Sequence, residues 1–167
     1  MNTTEHTRVV KDLPQRSIVV SRTFDAPIDL VWRAFTEKEL LDLWWGPAPW
    51  RVETKFMDFR EGGHWLYAMV GPNQERHWGR MNYLSIEHLK EFELEYAFCD
   101  ADGNVDPEFP VSTGVNSFTP TADGTRVEIR KTYSTEEQLQ QILEMGFAEG
   151  ITACLEQLAA VLKTPGR

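Results

Sequence analysis

The sequence is short of cysteine, of positive charge and of long apolar runs, and each shortage removes a class of function. Cys99 and Cys154 are the only cysteines in 167 residues. They are far apart and have neither redox nor zinc spacing, so no disulfide framework is expected. Cys154 falls on an apolar helical stripe and reads as a small buried hydrophobe. Lys and Arg number 17 against 26 Asp and Glu, a formal net charge of -9. Such a surface repels phosphate backbones and anionic bilayers, so neither a nucleic acid nor a membrane is an expected partner. No apolar run approaches the roughly 20 residues that span a bilayer. The polar start, Met1 to Arg16, has no signal-peptide centre. A cytoplasmic, monomeric protein is the expectation.

Catalytic signatures are also missing. There is no Gly-x-Ser-x-Gly elbow and no phosphate-cradling glycine loop. Cys99 has Asp100 and Asp102 beside it, and nearby negative charge makes a thiol a poor nucleophile. The four histidines, His6, His64, His77 and His88, have no metal-binding spacing. A turn near Asn73 would set His64 opposite Asn82 and His77 opposite Met69, so these two histidines should not meet. The stretch Asp100 to Val111 starts like a calcium loop. It has Val105 where the loop needs Gly and Val111 where it needs a bidentate Glu. No metal and no cofactor are expected.

Aromatic residues are what the chain has in quantity: six Trp and nine Phe. Large rings need a core to fill or a cavity to line. The length suits one domain able to bury a core. Residues 1–16 read as a flexible tail, 17–163 as the single domain and 164–167 as a short terminal tail.

Along the domain, Ser17 to Phe24 alternates as a strand. Pro27 opens a helix with Ile28, Val31, Trp32 and Phe35 on its apolar face. Thr36 and Glu39 have capping-box spacing for a second short helix, from about Glu37 to Leu43. It ends at Trp44-Trp45-Gly46-Pro47. Strands follow at Arg51 to Asp58, His64 to Val70, His77 to Ile86, Glu91 to Cys99, Val111 to Pro120 and Thr125 to Tyr133. Successive strands with short links pair antiparallel.

The last run, Ser134 to about Lys163, reads as one amphipathic helix. Leu139, Ile142, Leu143, Phe147, Ile151, Cys154 and Leu158 recur at three- and four-residue steps. Ser134 and Glu137 have capping-box spacing. Gly146 and Gly150 interrupt the apolar face, each at about 1 kcal/mol against Ala. They either let the helix sit tight on the sheet or hollow out a pocket beneath it. The fold class is α+β: a curved antiparallel sheet of about six to seven strands wrapped around one long C-terminal helix, with two short helices after the first strand.

Several strings carry a resemblance. These are Phe24-Asp25-Ala26-Pro27 leading into Val31-Trp32 and Phe35, then Leu43-Trp44-Trp45-Gly46-Pro47, then Phe59-Arg60-Glu61-Gly62-Gly63-His64-Trp65, then Gly79, and last Leu155, Leu158 and Leu162 of the terminal helix. Together they resemble the AHSA1-type family of the SRPBCC (START-like, Bet v 1-like) superfamily, over about Ser17 to Lys163. The resemblance implies a helix-grip fold and a cavity between sheet and helix. It fixes no single activity, because one fold hosts several.

The candidate lining of that cavity is Trp44, Trp45, Trp65, Tyr67, Met69 and Trp78, with Phe98, Phe118, Met145, Gly146, Phe147 and Gly150. A one-residue slip in a strand would reverse its faces. Tyr67, His64, Arg80 and Glu95 are the polar groups to check. The first functional reading is binding of a small hydrophobic or aromatic ligand. The alternatives are a polyketide cyclase-like or hydrolase-like enzyme, with Tyr67, His64 or Glu95 moving protons, and an interaction protein that modulates the Hsp90 ATPase. Against the last, the chain lacks the separate N-terminal domain of the eukaryotic activators.

Overall fold

Alternating β-branched and aromatic residues build one antiparallel sheet, and the apolar C-terminal segment covers its concave face. In the computed structural model, which describes residues 7–163, the strands are β1 (Arg8–Asp12), β2 (Ser17–Phe24), β3 (Arg51–Met57), β4 (His64–Val70), β5 (Arg76–Glu87), β6 (Glu91–Cys99), β7 (Ser112–Pro120) and β8 (Thr125–Thr132). Helices α1 (Ile28–Thr36) and α2 (Lys38–Trp44) follow β2, and α3 (Glu136–Glu144) and α4 (Phe147–Leu162) follow β8. The strand order is β1-β2-β8-β7-β6-β5-β4-β3. Register shifts at Thr54/Phe56 and Tyr83/Ser85 mark the irregularities that help a sheet bend. The result is the helix-grip architecture.

The sheet has eight strands, one or two more than expected. The addition is β1, which falls within residues 1–16, read above as a tail. It pairs with β2, Val9 opposite Val20. Four of its five residues are exposed, so no inward alternation marks it in the sequence. Residues 1–6 and 164–167 lie outside the described residues. His64 does pair with Asn82 and Met69 with His77, as the turn near Asn73 requires.

The terminal segment is two helices, not one. Gly146 stands between α3 and α4 with φ of 93°, and the helices bend by 59° there. A Cβ at Gly146 would meet nothing within 4 Å. The glycine is therefore required by its left-handed backbone and not by packing. Gly146→Ala should cost about 1–2 kcal/mol, and Gly146→Asn less, since Asn tolerates this conformation. Urea unfolding of the two variants checks the order. No single described helix is long and apolar enough to cross a membrane.

The expected caps also shift. Thr135, not Ser134, caps α3, its hydroxyl accepting from the Gln138 amide. The Thr36 hydroxyl donates back to the Trp32 carbonyl instead of capping α2.

Two packed regions flank the bend. Under α4 lies the main core, which includes Val20, Phe24, Trp32, Phe35, Trp44, Trp65, Phe92, Phe118, Leu155 and Leu158. Under α3 lies a smaller cluster of Ile18, Tyr133, Leu139 and Ile142. Phe118 belongs to the filled end: its ring is 5.0 Å from that of Trp32 and 5.2 Å from that of Phe35.

Candidate functional site

Between these two regions, under the α3–α4 bend, the packing leaves a cavity of about 260 Å³. The helices supply Ile142, Met145, Gly146, Phe147, Gly150, Ile151 and Cys154. The sheet supplies Tyr67, Met69, Tyr96, Phe98, Ser112 and Lys131, and the loop after α2 supplies Trp45 and Pro47. Pro110 and Tyr133 complete the wall. Met145 is exposed and Gly146 and Gly150 are half-exposed, so the mouth opens along the bend. A second hollow of about 480 Å³ adjoins it and shares Pro47, Met69, Phe98 and Met145.

Eight of the twelve candidate lining residues surround this cavity: Trp45, Tyr67, Met69, Phe98, Met145, Gly146, Phe147 and Gly150. The other four do not. Trp44 and Trp65 are 1% exposed and stand behind the wall as core. The Trp44 indole N–H donates to the Ala34 carbonyl at 2.9 Å, and that of Trp65 to the Thr54 hydroxyl at 3.0 Å. Phe118 packs at the α1 end, as above. Trp78 pairs with Ala68 and so points to the face opposite Tyr67, under the Lys55 ammonium at 5.7 Å. It borders only the second hollow.

The polar candidates divide as sharply. Tyr67 faces the cavity. His64, Arg80 and Glu95 lie on the other side of the sheet, where Arg80 donates to the Asn82 side-chain oxygen and the Asn82 amide contacts Glu95. They cannot move protons in the cavity. Asp100 is a turn cap, accepting from the amides of Asp102 and Asn104. No group of three His, Cys, Asp or Glu placed to hold a metal occurs among the described residues.

Lys131 was missed in the sequence. It is 8% exposed, on the inward phase of β8 after Thr125, Val127 and Ile129. Its ammonium lies 4.6 Å from the Tyr96 ring centroid and 5.2 Å from that of Phe147. Burial lowers its pKa from the usual 10.5 to about 8, because an apolar surround disfavours the charged form. Among the described residues it makes no ion pair, and it is the one charged residue of the lining.

The remaining polar wall is phenolic. The Tyr67 and Tyr96 hydroxyls are 3.4 Å apart. Gly79 lies beneath them: a Cβ there would come within 2.6 Å of the Tyr96 hydroxyl. Burial pushes Tyr67 and Tyr133 up to about 12 and Tyr96 well above its usual value. The Trp45 indole shares the Tyr67 hydroxyl, and Ser112 that of Tyr133. Burial also raises the Cys154 thiol to about 11. Near neutrality these groups are hydrogen-bond donors, not bases, and the thiol is a poor nucleophile. Lys131 alone titrates close to the working range.

Gln157 of α4 holds the rim. Its amide donates to the Trp44 and Gly46 carbonyls at 2.9 and 2.8 Å, and its oxygen accepts from the Ala48 amide at 2.8 Å. The loop carrying Trp45 and Pro47 is thereby tied to the helix.

A family model described as activator of Hsp90 ATPase homolog 1-like protein matches residues 25–163. Protein Ms6760 from Mycobacterium smegmatis, a crystal structure, is 32% identical with a TM-score of 0.88, covering 96% of this chain and 99% of its own. The solution structure of a protein from Arthrobacter aurescens is 32% identical with a TM-score of 0.89, covering 96% and 93%. Protein NE0264 from Nitrosomonas europaea is 30% identical with a TM-score of 0.79, covering 89% and 95%. Comparison with curated proteins gives no match.

Proposed function

This chain belongs to the activator of Hsp90 ATPase homolog 1-like family, and from that footing we propose that it binds a small hydrophobic or aromatic molecule in the cavity under the α3–α4 bend. The observation that supports this reading is the cavity itself: apolar walls, a few polar groups on one side and a mouth. An apolar cavity of about 150 Å³ already takes benzene. The larger space here suits a body of one or two rings. Trp45, Phe147 and Tyr67, the last backed by the Trp65 ring at 4.2 Å between centroids, give the ring faces and edges such a body packs against.

Thermal unfolding tests it. A ligand that binds only the folded state adds about 2.7 kcal/mol at a hundred times its Kd. At this chain length that is a rise in Tm of about 5–10 °C. A panel of neutral and anionic bicyclic aromatics should contain members that raise Tm in this way. A panel that leaves Tm unmoved would sink the reading.

A second reading, an enzyme using the same cavity, is supported by one observation, the lysine that titrates near 8. A group so poised suits proton transfer. It calls for a rate that inflects near that pH and disappears with Lys131→Met.

A further inference from the structure

We propose that Lys131 is an anion-docking residue, and that the cavity's ligand is a monoanion: a carboxylate on an apolar body of one or two rings. The inference rests on the ligand-cavity reading above and names the ligand's polar end.

A buried ammonium without a carboxylate is costly, and folded chains retain one only where something else compensates. Here the compensation within the protein is two aromatic faces, Tyr96 and Phe147. Ring faces attract a cation but do not neutralise it. No Asp or Glu lines the cavity. A ligand carboxylate beside Lys131 Nζ would supply the missing charge in a desolvated place, where such a pair is strongest.

A second feature points the same way. The sixteen-residue helix α4 begins on the cavity wall at Gly146 and Phe147, and no side chain caps it. Its first amides lack intrahelical partners and carry partial positive charge. The phenolic hydroxyls of Tyr67 and Tyr96 stay protonated near neutrality; Tyr67 donates to Tyr96, which leaves the Tyr96 proton as a donor on the sheet side. The C-terminus of α3 ends at the same bend and Glu149 lies in the first turn of α4, so the buried ammonium, the one full charge of the lining, is what favours an acceptor bearing negative charge. One ammonium with no arginine beside it suits a single charge better than a phosphate dianion. The overall charge of -9 opposes approach, but surface charges are screened beyond about 8–10 Å in physiological salt. At contact, Lys131 decides.

The test is a calorimetric titration of the full chain with 2-naphthoate and with its neutral isostere 2-naphthamide at pH 7. The wild type should bind the carboxylate about tenfold to a hundredfold more tightly. Lys131→Met should abolish that preference while leaving the amide's affinity, and Lys131→Arg should keep it. Equal binding of the two compounds to the wild type would overturn the proposal and leave the cavity reading standing. So would a preference that survives in Lys131→Met. If neither compound binds, both readings fall. The wild-type comparison decides even if a variant does not fold.

Discussion

Lys131→Met should make the protein more stable by about 2 kcal/mol at pH 7. The lysine's pKa falls from 10.5 to about 8 on burial, a difference worth about 3 kcal/mol. Methionine keeps the hydrocarbon bulk, and losing the contacts to Tyr96 and Phe147 gives back roughly 1 kcal/mol. The remainder raises Tm by about 4–8 °C. The pH dependence has a definite sign. Below about pH 8 both folded and unfolded chains carry the charge, and the full cost is present. Between about 8 and 10.5 the folded lysine has released its proton and the unfolded one has not. The unfolded state then binds more protons, so wild-type stability rises with pH relative to the variant. The gap should close through that window. Urea unfolding of both proteins at several pH values measures it. A variant less stable than the wild type at pH 7 would mean that Lys131 has a partner that neutralises it. A stabilising loss of a polar residue is the mark of a site kept for function at a cost to the fold.

Gly150→Leu should abolish binding and leave the fold intact. A Cβ at Gly150 meets only Pro47 Cγ, at 3.9 Å, an ordinary contact. The position lines the cavity, so a leucine side chain has space to grow into it. Replacing glycine within a helix also gains about 1 kcal/mol of propensity. The expected outcome is a protein at least as stable as the wild type in which 2-naphthoate no longer raises Tm. Had the glycine served tight packing, the same change would cost several kcal/mol. The two glycines thus have different explanations. Gly146 sets the bend, and Gly150 leaves the room beneath it.

The fold was legible from strand alternation, from the turn at Asn73 and from the strings around Trp44-Trp45 and Gly62-Gly63. The break in the last helix was not. A single left-handed residue keeps Ile142, Phe147, Ile151 and Cys154 in step, so the apolar period runs through a 59° bend without a sign. Hydrophobic period reports which face is inward, not whether the axis is straight. β1 escaped because a strand held by backbone bonds at a sheet edge need bury few side chains.

The site was legible in part for the same reason. In β4 the alternation of Trp65, Tyr67 and Met69 sets the phase directly. In β5 the inward position beside Trp78 is Gly79, whose missing side chain gives the alternation nothing to read. Trp78 was therefore placed on the wrong face. Phe118 had the right face but the wrong end, which depends on where α1 packs. Lys131 had a usable signal. Thr125, Val127 and Ile129 put it in phase with the core, and a lysine in that phase reads as a buried charge. A basic residue near a strand end is more often exposed, which masks that signal.

The most direct test of the ligand cavity is backbone amide chemical-shift mapping during titration with 2-naphthoate and, separately, 2-naphthamide. Shifts centred on Phe147, Gly150, Tyr96 and Lys131, sparing Phe56 and Leu84 on the exposed sheet surface, are the expected result. Shifts confined to that exposed surface, or none with either compound, would contradict it.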